Sequence, residues 1–230
     1  EGEYETGLAR IIEGYLGNLD QEQHSAWVSG FYGSGKSHLV KVLRYLWTDH
    51  KFSDGSTARN LATLPTSVTD PLSELSTAGS RGAGLHSAGG TLSAGSGDVR
   101  HRLLSIIFRS EGLPESLSLA RLTMDLRDDG ILADIRSEIS GQGKDPDEEI
   151  RRLYTSKTFQ AAYLKFAPHM KDMDNVSQAL REQYPMGSAE ISIDDMEVNI
   201  RRALSKGGQL PNTVVILDEL QQFIGDSLDT

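Results

Sequence analysis

The chain has no cysteine among its 230 residues. Disulfides and thiolate metal sites are therefore excluded, and the composition fits a reducing compartment. Long apolar runs are missing too: nothing approaches the ~20 residues of a membrane-spanning helix, and no signal peptide stands ahead of the first helical stretch. A cytoplasmic location without membrane contact is the expectation. Positive charge is in deficit, with 23 Lys and Arg against 33 Asp and Glu and a formal net charge of −10. Electrostatics alone will not wrap such a chain round nucleic acid, although a local basic patch stays open. Hydrophobic content of 37% suits one sizeable soluble core. The chain opens on Glu1 and stops at Thr230, soon after a second motif, and is expected to be a segment of something longer.

Glycine is abundant, and one cluster of it is ordered. Gly30-Phe31-Tyr32-Gly33-Ser34-Gly35-Lys36-Ser37 fits the phosphate-loop pattern G-x-x-x-x-G-K-[ST]. In such a loop the glycines let consecutive N–H groups turn inward on a polyphosphate, Lys36 reaches the terminal phosphates, and the Ser37 hydroxyl ligates Mg²⁺. The context is right. Ala26-Trp27-Val28-Ser29 ahead of it reads as a short strand, and Leu39, Val40, Leu43, Leu46 and Trp47 behind it recur at helical spacing, so a helix N-terminus faces the same anion.

Upstream, Leu8, Ile11, Ile12, Tyr15 and Leu16 mark an amphipathic helix over residues 6–19, packed beside the site. Its aromatic Tyr15 is read as core, with contact to a base as the lesser alternative. Downstream, a short helix is expected over 57–64. Asp70-Pro71 reads as a cap and first helical residue opening another. Residues 76–97 are dominated by Ser, Ala and Gly and read as a loop, within which Leu85–Leu92 is the one candidate strand. Asp98–Ser110 reads as a helix with Val99, Leu103, Ile106 and Ile107 on one side. From 116 to about 184–190 the pattern is helical and charged, with Asp145-Pro146 a strong start signal, and its acids face solvent. The paired arginines Arg151-Arg152 and Arg201-Arg202 read as solvated. Ser192–Lys206 is another helix, capped by Ser192 and closed by Gly207-Gly208.

Thr213-Val214-Val215-Ile216-Leu217 is a β-rich run of the kind buried on both faces in a parallel sheet, and it ends in Asp218-Glu219. At the carboxyl edge of such a sheet Asp218 is placed to hold Mg²⁺, commonly through water, and Glu219 to polarise a water for attack on a γ-phosphate. A GTPase would show Asp-x-x-Gly here and Asn-Lys-x-Asp elsewhere, and neither occurs. The residues thus predict a three-layer α/β P-loop NTPase, 1–230, with a mainly parallel sheet and a helical insertion at about 116–190. Candidate nucleotide-binding residues are Gly30, Phe31, Tyr32, Gly33, Ser34, Gly35, Lys36, Ser37 and His38. Ser37 and Asp218 are the metal candidates, and Glu219 and Lys36 the catalytic ones. ATP and Mg²⁺ are the expected cofactors.

Two alternatives accompany this reading. Asp218-Glu219-Leu220-Gln221 is similar to the D-E-x-Q box of superfamily 1 helicases, and Leu19-Asp20-Gln21-Glu22-Gln23 faintly resembles their adenine-reading segment, though it lies only seven positions before Gly30. The second alternative is a scaffold that binds ATP to assemble partners with little turnover.

Taken together, Trp27-Val28-Ser29-Gly30-Phe31-Tyr32-Gly33-Ser34-Gly35-Lys36-Ser37-His38-Leu39 and Val214 to Ile224 resemble the large ATPases of bacterial BREX phage defence known as BrxC or PglY. The resemblance covers the two motifs and the helix before each. It implies an AAA+-like ATPase, oligomeric in the intact protein, that works with a DNA methyltransferase and a phosphatase-like protein, and it leaves DNA open as a partner. It also implies a further sensor strand and a neighbouring subunit's arginine beyond Thr230. The segment alone is then expected to bind ATP and hydrolyse it poorly.

Overall fold

A computed structural model describes residues 2–23, 25–31, 33–61, 63–92, 98–167, 173–187 and 190–219. The chain divides into two compact units, Glu1–Gly95 with Leu204–Thr230, and Ser96–Ala203. The second is continuous in sequence and interrupts the first. The helical stretch expected at 116–190 falls inside it.

The first unit holds α1 (Gly2–Leu16), α2 (Lys36–Thr48), a single 3-10 turn at Ala58–Asn60, α3 (Thr66–Arg81), β1 (Leu85–Thr91) and β2 (Asn212–Asp218). The two strands are parallel, in register from Leu85 opposite Asn212 to Thr91 opposite Asp218. Leu8, Ala9 and Ile12 of α1, Leu43, Leu46 and Trp47 of α2, and Val68, Leu72 and Leu75 of α3 form one buried cluster, against which Leu85 and Val214 pack. Leu8, Ile12, Leu43, Leu46 and Trp47 are among the residues that helical spacing singles out, because only one stripe of each helix can leave water. Arg59 completes the cluster from below. It donates to the carbonyls of Leu46, Trp47 and Leu72 and to Ser76 Oγ, closing the end of α2, and burial lowers its pKa, opposed by nearby Asp49.

Several expectations change here. Ala26–Ser29 is not a strand: the run pairs with neither β1 nor β2, and Trp27 is 65% exposed. Four residues without a ladder partner keep their backbone groups in water instead. The third helix begins at Thr66 after Pro65, and Pro71 lies inside it rather than opening it. The helix of 57–64 shrinks to its 3-10 turn. β2 is half-buried, with Val215 exposed, rather than covered on both faces. By contrast the Ser/Ala/Gly segment does supply β1, because Gly89 admits Arg44 of α2 onto the strand where a Cβ would crowd it.

The second unit contains α4 (Val99–Ser110), α5 (Leu117–Asp128), α6 (Leu132–Gly141), α7 (Pro146–Arg151), α8 (Lys157–Phe166), α9 (Met173–Gln183) and most of α10 (Ile193–Leu204). Leu122, Leu126, Ile135, Ile139, Phe159 and Val176 are among its fully buried core. In α4 the buried stripe is Leu104, Ile107 and Phe108, with Ile106; Val99, in the first turn, is exposed. Of the expected stripe, Ile106 and Ile107 are buried and Leu103 is half-buried. Caps follow the sequence closely. Asp98 accepts from the Arg100 N–H, Asp145 from those of Asp147 and Glu148 with Pro146 next, and Ser192 Oγ accepts from the Asp195 N–H while donating to Asp195 Oδ2.

Candidate functional site

The described residues of Gly30–Ser37 lead into α2 and are tied together by hydrogen bonds. Gly33 and Gly35 take left-handed conformations, φ +78° and +82°, that a side chain would strain. Lys36 Nζ folds back and donates to the carbonyls of Gly30 (2.7 Å) and Phe31 (2.8 Å), while the Ser34 N–H also donates to the Phe31 carbonyl at 3.1 Å. The Ser34 carbonyl accepts from Tyr4 Oη of α1. Three carbonyls of the loop are thus engaged by protein donors. Gly35 caps α2 with no side-chain hydrogen bond, leaving the first N–H groups of that helix to another acceptor. Phe31, Ser34, Ser37 and His38 are exposed, and Gly35 and Lys36 half-exposed. Tyr32 lies outside the described residues.

The orientation of α2 relates the loop to the second motif. Trp47 Nε1 donates to the Asn212 carbonyl at 3.0 Å, and Arg44, one turn earlier, lies over Gly89, whose register partner is Ile216. Passing from Trp47 toward Lys36 therefore runs from the start of β2 toward its end. α2 spans about 18 Å and β2 about 20 Å. The N-terminal end of α2, with the loop, consequently lies at the carboxyl edge where β2 finishes in Asp218. Asp218 shares the strand face of Val214 and Ile216, the face toward the helices.

Past Asp218 the backbone turns sharply. Glu219 has φ +61°, a left-handed conformation uncommon for a residue with a side chain, and its N–H donates to Asp218 Oδ1 at 3.0 Å. The Asp218 carbonyl accepts from the Leu92 N–H at 2.9 Å, which fixes the strand end. Leu220 and Gln221 lie outside the described residues.

Mg²⁺ and a polyphosphate can be tested against this arrangement. The metal candidates are one hydroxyl, Ser37, and one carboxylate, Asp218, and among the described residues no group of three or more His, Asp or Glu could hold an ion. That sparse donor set suits Mg²⁺, which keeps several waters and takes its remaining ligands from substrate phosphates. The uncapped helix end, the left-handed glycines and the ammonium suit the anion.

Tyr15 does not belong to this site. Its ring meets Trp47 edge-on at 4.8 Å and its hydroxyl donates to Asn212 Oδ1 at 2.9 Å, at the amino end of β2 and so opposite the loop. Burial raises its pKa. Gln23, the residue of the faint helicase resemblance, spends its amide on the carbonyls of Tyr15 (3.2 Å) and Asn18 (2.5 Å), closing the end of α1. The residue that sequence reasoning missed is Tyr4. It precedes the apolar stripe of α1 and is 30 residues from its partner Ser34, so no local pattern points to it.

No family model matches the chain, and no solved structure matches it.

Proposed function

We propose that this chain binds Mg²⁺-ATP at Gly30–Ser37 and, in the intact protein, hydrolyses it. The observation that carries the reading is the loop itself: engaged carbonyls, left-handed Gly33 and Gly35, a folded-back Lys36 and an uncapped α2. In this reading Gly33 to Lys36 hold the phosphates, Lys36 neutralises charge that builds on them, and Ser37 and Asp218 bear on the metal. Glu219 orients the attacking water. β1 and β2, with helices packed on them, would be two strands of a three-layer P-loop sheet. Supporting this is their parallel pairing, together with the antiparallel course of α2.

The wider setting rests on motif resemblance. The motif W-x-S-G-F-Y-G-S-G-K-S-H resembles that of the BREX-type defence ATPases, and on that resemblance the chain would be part of an AAA+-like ATPase with a DNA methyltransferase and a phosphatase-like protein as cytoplasmic partners. The superfamily 1 alternative loses support from Gln23, whose amide is already committed to the end of α1. Steady-state phosphate release in an extended chain, with Glu219→Gln beside the wild type, tests turnover. Release abolished by Glu219→Gln with ATP binding retained supports the ATPase. Equal, negligible release from both, with partner assembly unaffected, supports the nucleotide-dependent scaffold instead.

A further inference from the structure

Tyr4 touches the loop twice over. Its hydroxyl donates to the Ser34 carbonyl, and a Cβ added to Gly35 would run into that same hydroxyl. The hydroxyl therefore occupies the space that the missing side chain of Gly35 leaves. Tyr4 is held from behind. It sits one helical turn before Leu8, and Leu8, Ala9 and Ile12 anchor α1 in the buried cluster.

A trans peptide is planar, with its C=O and N–H pointing in opposite directions. A hydroxyl that pins the Ser34 carbonyl on the α1 side therefore turns the Gly35 N–H to the other side, and it opposes rotation of that peptide. Gly35 is needed for two separate reasons, its φ of +82° and the tyrosine against it.

We propose that Tyr4 is a positioning residue of the phosphate loop, fixing the Ser34–Gly35 peptide so that the Gly35 N–H faces the bound phosphates. This rests on the reading of Gly30–Ser37 as a phosphate site. Tyr4 also borders an open groove of 680 Å³ along α1 with Thr6, Gly7 and Arg10, so contact with a nucleoside is the competing role. The two roles separate by ligand. Positioning of the peptide acts on any polyphosphate, whereas contact in the groove acts only on ligands that carry a base and sugar.

The test is calorimetric titration of the 230-residue chain and its Tyr4→Phe variant with ATP, GTP and inorganic tripolyphosphate in Mg²⁺. The expected result is a roughly 3- to 10-fold loss for every ligand the wild type binds, tripolyphosphate included, as one hydrogen bond implies. Unchanged far-UV circular dichroism and Tm would accompany it, since Tyr4 is 41% exposed and Phe keeps its ring. Ligand-bound Gly35 amide exchange would also quicken, which a general loss of packing would not single out. Unchanged affinity for tripolyphosphate, or a loss confined to the nucleotides, would overturn the proposal while leaving the phosphate site standing. A wild type that binds none of the three would overturn the site reading, and this inference with it.

Discussion

In the loop-bearing unit the ammonium of Lys36 is held by two backbone carbonyls, whereas in the helical unit many of the cations meet carboxylates, although Arg100 and Arg127 also donate to carbonyls. Arg202 pairs with Asp125 at 2.6 Å and Asp128 at 2.5 Å, Arg136 with Asp147 at 2.7 Å, Lys165 with Glu138 at 2.5 Å, and Arg152 with Glu148 at 2.5 Å. A carbonyl steadies a cation and leaves its charge in place; a carboxylate cancels it. The first arrangement keeps a positive group ready for an anionic ligand, and the second spends it on the fold. Backbone geometry overlaps more. In the loop-bearing unit left-handed residues occur both in the two motifs, at Gly33, Gly35 and Glu219, and at ordinary turns such as Asp49 after α2 and Gly84 after α3, while in the helical unit they follow helices, as at Gly112, Gly130 and Gly143.

The largest effect that would sharpen this contrast lies in the helical core. Phe159→Ala removes a fully buried ring and should cost about 3–5 kcal/mol of that unit's stability, read from urea denaturation. A cost below ~1 kcal/mol would mean that the core is not packed as described. Lys36→Ala should do the reverse, lowering ATP affinity on the order of 10- to 100-fold while leaving the urea midpoint nearly unchanged. Asp145→Ala, which strips the cap from α7, should cost about 1 kcal/mol by the same urea measurement and leave nucleotide binding alone. Asp218→Ala should reduce the gain in ATP affinity that Mg²⁺ provides; an undiminished gain would remove Asp218 from the metal site.

A smaller effect concerns alkaline pH. Burial, followed by the hydrogen bond and charge of Asp125, raises the Tyr184 pKa above its ordinary value of 10.0. A group whose folded pKa is raised contributes stability that is full below its unfolded pKa and lost as pH rises beyond it. The helical unit should therefore weaken above about pH 10, and Tyr184→Phe should flatten that decline. An identical alkaline profile in the variant would assign the loss to other groups.

Much of this was readable in advance because it is local. Asp145-Pro146 and Ser192-x-x-Asp195 cap their helices through hydrogen bonds two or three residues away, and the apolar stripes of α1 and α2 follow from helical spacing. The loop was legible for the same reason, since its glycines and Lys36 act within eight consecutive residues. What depended on distant partners was not. Ala26–Ser29 has strand composition and no strand to pair with, and the tie from Tyr4 to Ser34 spans 30 residues. Glu149 looks like a solvent-facing acid in sequence, yet its side chain is 14% exposed because it receives the Ser156 hydroxyl and faces Lys144. Of the paired arginines read as solvated, Arg151, Arg152 and Arg201 are exposed, whereas Arg202 is half-buried between Asp125 and Asp128.

The most direct measurement is a calorimetric titration of the chain with ATP, ADP and GTP, with and without Mg²⁺, beside Lys36→Ala. The account predicts Mg²⁺-dependent, adenine-selective binding in the micromolar range, about −8 kcal/mol, that falls away in the variant. ATP binding of equal strength in Lys36→Ala, or no ATP binding by the wild-type chain, would contradict it.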